Sequence, residues 1–396
     1  MFIVKSYALG VVMCVITMLC WGSWANTQKL ATKEWRFQLF YWDYAIGVFL
    51  LSLVLAFTMG STGAQGQGFI RNLFECEPSS LGSAFLGGVI FNLSNILLVA
   101  ALDIAGMAVA FPVGVGLALV LGVITTYYTK PEGSKLWLAL GVAAIVVAII
   151  VDAIAYKRLA SAGQKTPLKG IIFSIVGGLL IGLMLPLMAY FAFSHRNLVW
   201  LTLCCGVFVG ALWLLASAYE LLARAGQKTL AKGVVLSVAA GVLMGFFYRF
   251  VVASMSGKFE VIEPGKLTPY TAVVVFSLGL LLSNFLWNTI VMRWPFVGER
   301  VPLGDYFTKG NLRLHLIGIL GGIIWNVGMS FNIIASGATA PALAYGLGQG
   351  ATMIAAIWGV FIWKEFKTAP PGTNKLLAAM FAFYVLGLGI LIASKL

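Results

Sequence analysis

Two stretches of the chain repeat one pattern and end on a polar residue. Residues 86–92 read LGGVIFN and residues 320–326 read LGGIIWN, each inside a long apolar segment. A carboxamide without a partner in hydrocarbon costs several kcal/mol. A single such asparagine usually bridges two helices, but two in matching positions can face a shared cavity. We therefore predict that Asn92 and Asn326, with Asn95 beside the first, bind a polar substrate.

An acidic residue lies in the second apolar segment, in the motif YWDY at residues 41–44. Ionisable residues inside membrane segments are costly and usually functional. Asp43 has two interpretations. It is either an interfacial carboxylate held by Lys33 or Arg36, or a buried group beside Trp42 that carries a coupling proton. We keep the first as the alternative and assign the proton-coupling role to Asp43.

Aromatic side chains accompany these polar groups. The remaining candidates for substrate binding are aromatic or carry a carboxamide, and they are Trp24, Trp42, Tyr270, Trp325, Tyr345 and Gln349. An aromatic face combined with a carboxamide suits a neutral polar ring, through stacking and directional hydrogen bonds. Both a sugar and a heterocycle have this chemistry.

The segments that must position these residues are membrane-spanning helices. Of 396 residues, 61% are hydrophobic and 10% are charged, whereas soluble proteins have about 45–50% and 25%. Stretches of about 20 apolar residues are long enough to cross a bilayer. We predict an all-α integral membrane protein with twelve spans, at residues 7–30, 38–60, 81–104, 107–128, 134–156, 168–193, 198–223, 232–255, 270–292, 313–336, 339–363 and 375–394.

The net charge of +13 is distributed unevenly between the loops. Loops after odd-numbered spans hold 17 lysines and arginines and the opposite loops hold 8. The excess identifies a cytoplasmic face, which we call the basic end. This distribution predicts a multi-pass protein of the plasma (inner) membrane with both termini outside, and it argues against a nucleic-acid partner because no basic stripe is present.

Internal repeats divide the chain into three parts. GVVMCVITMLCWG from Gly10 matches GVVLSVAAGVLMG from Gly233, and FPVGVG at residues 111–116 matches LAYGLG at residues 343–348. Spans 1, 3 and 4 therefore correspond to spans 8, 10 and 11. An odd number of spans per unit inverts the second unit relative to the first. We predict five-helix repeats at residues 1–157 and 232–396.

The connection between the repeats, residues 158–231, contains a local duplication. The sequence AGQKT occurs at residues 162–166 and 225–229, and each copy precedes a lysine-glycine pair and an apolar segment. We interpret spans 6 and 7 as an inserted helix pair. Because two is even, the inversion of the flanking units is preserved, and we expect the pair to be peripheral.

Longer motifs carry a family resemblance. The run LTPYTAVVVFSLGLLLSN (residues 267–284), GLGQGAT (346–352) and GVFIWKEFK (359–367), together with WGSW (21–24) and WDY (42–44), resembles the ureide permease and glucose/ribose porter branch of the drug/metabolite transporter superfamily. The resemblance covers residues 5–157 and 232–394 and leaves out the inserted pair. It implies ten helices as five plus five, and transport of sugars, ureides or nucleobases, commonly with protons.

Together these observations predict a secondary transporter that moves a small neutral metabolite by alternating access, with sugars placed ahead of ureides and nucleobases. The expected partners are a small-molecule substrate, the lipid bilayer and a proton or sodium ion, and a homodimer is compatible with the sequence. No motif for hydrolysis, nucleotide binding, metal or another cofactor occurs, so we predict no enzyme. The alternatives are a drug or metabolite exporter of the same superfamily, and a receptor or scaffold that does not transport.

Overall fold

A computed structural model of the chain describes residues 1–31, 34–105, 110–160, 168–194, 198–224, 228–296 and 298–395. Its helices, in chain order, are α1 (Tyr7–Ser23), α2 (Ala25–Ala31), α3 (Phe37–Phe57), α4 (Phe69–Glu75), α5 (Pro78–Ala105), α6 (Gly116–Thr129), α7 (Lys135–Ala160), α8 (Leu168–Ala189), α9 (Leu198–Arg224), α10 (Lys228–Ser254), α11 (Pro269–Arg293), α12 (Asp305–Thr308), α13 (Leu312–Thr339), α14 (Pro341–Gly348), α15 (Ala351–Ile357) and α16 (Thr373–Ala393).

The prediction of an all-α integral membrane protein is confirmed. Within the described ranges, eleven helices are long and apolar enough to cross a membrane, and Val113–Thr129 is a shorter apolar helix in the place of the fourth predicted span. A π-helical turn at Phe111–Val115 leads directly into α6 and overlaps the start of this apolar segment. The eleventh span is also irregular, because α14 ends at Gly348 and α15 starts only at Ala351. The two irregular spans are counterparts in the predicted repeat.

The glycines of the repeated heptapeptides bring central helices into backbone contact. A Cβ atom on Gly88 of α5 would lie 2.0 Å from the carbonyl oxygen of Phe276 on α11. A Cβ atom on Gly322 of α13 would lie 2.0 Å from the carbonyl oxygen of Tyr44 on α3. Small residues at such crossings are the usual means of close helix packing in membranes. The second glycine of each heptapeptide thus has the same packing role.

Helix pairs in the bundle follow the predicted correspondence. Helix α5 packs against α10 and α11, while α13 packs against α1 and α3. In the numbering of the predicted spans, span 3 contacts spans 8 and 9, and its counterpart, span 10, contacts spans 1 and 2. Each contact of the first helix therefore has an equivalent at the second. Helices α7 and α16, the last spans of the two units, pack against each other.

The helix pair α8 and α9 lies at the periphery. Only 11% of the residues in the most apolar 18-residue stretch of α9 are buried, compared with 61% in α3. Helix α8 is held by its glycines, since Gly178 lies against Leu117 of α6 and Val238 of α10. Most of the AGQKT repeat lies outside the described residues. The two helices therefore cover the joint between α6 and α10 without entering the centre of the bundle.

Candidate functional site

A central cavity of about 270 Å³ lies between helices of both predicted units. Its walls come from α1, α2, α5, the turn before α6, α6, α10, α13 and α15. In the numbering of the predicted spans, these helices are spans 1, 3 and 4 and their counterparts, spans 8, 10 and 11. The volume is just below the roughly 300–1,000 Å³ typical of small-molecule sites.

Aromatic rings form one end of the cavity, which we call the aromatic floor and define as Phe91, Phe247 and Trp325. The centroids of the Phe91 and Trp325 rings are 4.5 Å apart, and those of Phe91 and Phe247 are 5.0 Å apart. Phe91 and Trp325 occupy the sixth position of the two repeated heptapeptides. The repeat thus supplies both of its aromatic residues to the same surface.

Two side walls are also aromatic. Trp21 stacks on Trp325 with centroids 5.9 Å apart, and its Nε1 donates a hydrogen bond of 3.2 Å to the Trp325 carbonyl oxygen. Trp24 packs against Tyr44 at 4.9 Å. Both indoles are thereby fixed before any ligand enters.

Three polar side chains face this aromatic surface. Asn95 donates through Nδ2 to the Tyr41 hydroxyl at 3.1 Å, and its Oδ1 has no donor among the described residues. Gln349 lies where α14 ends, and no side-chain hydrogen bond from the described part of the chain engages it. The Thr352 hydroxyl donates to the Gln349 carbonyl oxygen at 3.0 Å. A ligand can therefore bond two carboxamides while lying on aromatic rings.

The cavity opens at the basic end. Its lining includes Ala25 and Asp103, which are exposed to solvent at the ends of α2 and α5. The opposite end of the bundle is closed by loop contacts. There the Asn72 side chain donates to the Lys266 carbonyl oxygen at 2.9 Å, and Lys130 donates to that of Gly257 at 2.8 Å.

Asn92 and Asn326 lie behind the aromatic floor, outside the cavity. Asn92 Nδ2 donates to Ser283 Oγ on α11 at 2.9 Å, and Asn326 Nδ2 donates to the Val48 carbonyl oxygen on α3 at 2.8 Å. Both are fully buried. Each asparagine follows its floor aromatic by one residue and so faces about 100° away from the cavity. The two side chains bond to different helices, α11 for Asn92 and α3 for Asn326. The geometry gives each a helix-bridging role in place of the predicted shared site.

The other predicted residues are divided between the cavity and its surroundings. Trp24, Asn95, Trp325 and Gln349 line it. Trp42 instead packs edge-on against Phe285 between α3 and α11. The Tyr270 hydroxyl bonds to the Phe2 carbonyl oxygen at the closed end. Tyr345 is buried behind the floor, where its hydroxyl donates to the Ala118 carbonyl oxygen at 3.1 Å.

Asp43 is buried in a separate cluster between α3 and α13. Its carboxylate accepts hydrogen bonds from the Tyr306 hydroxyl and from Trp35 Nε1, and it lies 3.0 Å from His315 Nδ1. Burial and the neighbouring carboxylate raise the pKa of Tyr306 above its usual value. Of the two predicted partners, Lys33 lies outside the described residues and Arg36 bonds to the Glu299 carbonyl oxygen. Asp43 is 1% exposed and does not line the cavity.

Sequence reasoning did not assign Phe91, Phe247, Thr352 or His315 to a site. For Phe91 a signal existed, since it aligns with Trp325 in the repeated heptapeptide. His315 is 272 positions from Asp43, and no local motif connects them.

Comparisons with known proteins agree with this architecture. The ureide permease family matches residues 40–193 and 221–394. Ureide permease 1 of Arabidopsis thaliana is 21% identical over 406 aligned residues, which cover 100% of this chain and 99% of the relative. Ureide permease 4 of the same plant is 22% identical over 407 residues, with the same coverage.

These matches correct one expectation from the sequence. The matched range runs through α8, whereas the sequence motifs predict a family pattern that leaves out both α8 and α9. Only residues 194–220, which hold most of α9, separate the two matched ranges. With both matched ranges covering most of its length, this chain belongs to the ureide permease family of membrane transporters.

Proposed function

We propose that the chain carries a small, neutral, polar ring compound of the ureide or nucleobase type across the membrane through the central cavity. The observation that carries this proposal is the pairing of a fixed aromatic floor with the carboxamides of Asn95 and Gln349. Ureides and nucleobases have flat faces edged by N–H and C=O groups, which match stacking and carboxamide bonding together. The names of the relatives also favour ureides, so we place them ahead of sugars.

Alternating access by two inverted five-helix units is the mechanism we propose. It is supported by the exchange of helix contacts between counterpart spans, and by a cavity that is open at the basic end and closed at the other. Interrupted helices in corresponding positions of two halves are typical of transporter sites. The turn before α6 and the break between α14 and α15 are such a pair, and both line the cavity.

Proton coupling through Asp43 is the proposed energy source. The carboxylate lies between α3 and α13, which belong to different units, and it is surrounded by two donors, Trp35 and Tyr306, and by the His315 ring. Adding a proton to this cluster removes its negative charge and so changes how tightly the two units hold together. The substrate does not need to touch Asp43 for this coupling.

The test is uptake into proteoliposomes containing the purified protein, with labelled allantoin, uracil and glucose as probes. We expect saturable uptake of the ureide or nucleobase, and accumulation when the lumen is made alkaline relative to the medium. Linear flux that no gradient alters would indicate a channel. Binding without flux would indicate a receptor, and efflux alone would indicate an exporter.

Two neighbouring asparagines on α5 provide matched variants. Asn95→Leu should weaken binding of the transported probe by about 1–3 kcal/mol, or roughly 5- to 150-fold, because a buried ligand group loses its partner. Asn92→Leu changes the same residue type one turn away but outside the cavity. It should bind the probe with unchanged affinity, and equal losses in both variants would refute the assignment of the cavity.

A further inference from the structure

A second, smaller cavity lies beside the central one, between α7, α15 and α16. We call it the side pocket, with a volume of about 10 Å³ and a lining of Ile149, Asp152, Tyr156, Thr352, Ala355, Ala356 and Tyr384. Thr352 and Ala355 line the central cavity as well. A single wall therefore separates the two spaces.

Buried polar side chains face the side pocket. Asp152 is 6% exposed and Tyr384 is fully buried. Asp152 Oδ1 has no hydrogen-bond partner among the described residues, and the Tyr384 hydroxyl lies beside the Thr352 side chain. A space of about 10–15 Å³ with two to four polar partners is what one water molecule requires. Asp152, Tyr384 and Thr352 supply three such partners.

The charged groups around the pocket extend to the basic end. Glu365 accepts a hydrogen bond from the Tyr156 hydroxyl at 2.9 Å and forms an ion pair with Lys29 at 2.8 Å. Lys29 also lies over the Trp363 ring. The positive charge of Lys29 is thus already balanced by Glu365, and among the described residues Asp152 has no cation bonded to it. A carboxylate in that position gains most from a proton.

We infer that one water molecule bridges Asp152, Tyr384 and Thr352, and that Asp152 exchanges a proton with the central cavity along this bridge. In this step the Thr352 hydroxyl turns from the Gln349 carbonyl oxygen towards the bridging water, and the water gives a proton to Asp152 Oδ1 while it receives one from that hydroxyl. In the same concerted step, Thr352 takes a proton from a protonated water (H3O⁺) in the cavity, which is left as neutral water. The net change is one proton moved from the cavity to Asp152, with no redox change. This link between substrate site and proton site rests on the proposed function.

The first part of the test needs no substrate. Infrared spectra of the purified protein are recorded as a function of pH for the unmodified chain, Asp152→Asn and, as a control, Asp43→Asn. We expect a titrating carboxyl band that disappears in Asp152→Asn and persists in Asp43→Asn. An unchanged set of titrating bands in Asp152→Asn would overturn the inference. A band displaced by sodium at constant pH would also overturn it, in favour of a cation site.

The second part tests the bridge. Thr352→Val keeps the shape of the side chain but removes the hydroxyl, and it should move the titration midpoint of the Asp152 band by a measurable fraction of a pH unit. Thr126→Val, which removes a buried hydroxyl on α6 away from the pocket, should leave that midpoint in place. Equal midpoints in Thr352→Val and in the unmodified chain would refute the bridge.

The third part tests the link to the substrate. Saturating the protein with the transported probe should shift the Asp152 midpoint in the unmodified chain but not in Thr352→Val. A probe that binds without shifting it would overturn the link and leave transport standing. If no probe binds or crosses the membrane, the proposed function fails, and the first two parts still decide the role of Asp152.

Discussion

Replacing Gly88 by alanine tests the packing that sets the distance between α5 and α11. The new Cβ would lie 2.0 Å from the Phe276 carbonyl oxygen, whereas ordinary contacts begin at 3.4 Å, so the helices must separate by about 1.4 Å. Overpacking costs about 1–3 kcal/mol, and a rigid backbone oxygen places this site near the upper value. Alanine has a higher helix propensity than glycine, and this difference offsets at most about 1 kcal/mol of the loss. We expect a net loss of about 2 kcal/mol.

Gly82 provides the control within the same helix, since a Cβ at that position meets nothing within 4 Å. Gly82→Ala should be neutral or gain up to about 1 kcal/mol. The two variants should therefore differ by about 2–3 kcal/mol in the free energy of unfolding, measured by denaturant titration in detergent with tryptophan fluorescence. Gly322→Ala, at the matching position of α13, should lose as much as Gly88→Ala. Equal stability of Gly88→Ala and Gly82→Ala would refute the close contact.

Four further outcomes are expected. Asp43→Asn should retain exchange of substrate but lose accumulation driven by a proton gradient, measured as counterflow against gradient-driven uptake in proteoliposomes. His315→Leu, which removes the polar contact to Asp43, worth about 1.5–3 kcal/mol, should lower gradient-driven uptake roughly tenfold while leaving counterflow intact. Deletion of residues 163–225, which removes α8 and α9, should lower the denaturation temperature yet preserve uptake, and a folded but inactive deletion would contradict a peripheral role. In a cysteine-free background, an impermeant thiol reagent should label Lys258→Cys from outside and leave Lys367→Cys unlabelled, and the reverse pattern would invert the proposed topology.

The membrane fold was predictable because hydropathy and helix length act locally. Each apolar stretch of about 20 residues specifies a spanning helix without reference to its neighbours. The fourth and eleventh spans were less predictable, since the π-helical turn at Phe111–Val115 and the break after Gly348 depend on how these segments pack. The glycines in FPVGVG and GLGQG indicated where these two spans are irregular, but they did not indicate whether the irregularity is a π-helical turn or a break between helices.

The site was predicted only in part, because a sequence gives the position of a residue along a helix but not the direction it faces. Asn95 and Asn92 differ by three positions on α5, yet the first reaches the cavity and the second bonds to Ser283. Repetition indicated that the heptapeptides meet near the centre. It could not indicate that Phe91 and Trp325 line the cavity while the two asparagines bond to neighbouring helices.

The floor is built from corresponding positions of two units, but its two rings differ in chemistry. Phe91 is a smaller ring without a hydrogen-bond donor, and Trp325 is a larger ring with an indole N–H. If the two units exchange roles when the cavity opens on the other side, the substrate meets the same rings in reversed order. The two sides of such a carrier are not equivalent. The substrate concentration that gives half-maximal transport should therefore differ between the two sides of the membrane. Exchanging the residues, as Phe91→Trp with Trp325→Phe, should reverse the order of those two concentrations.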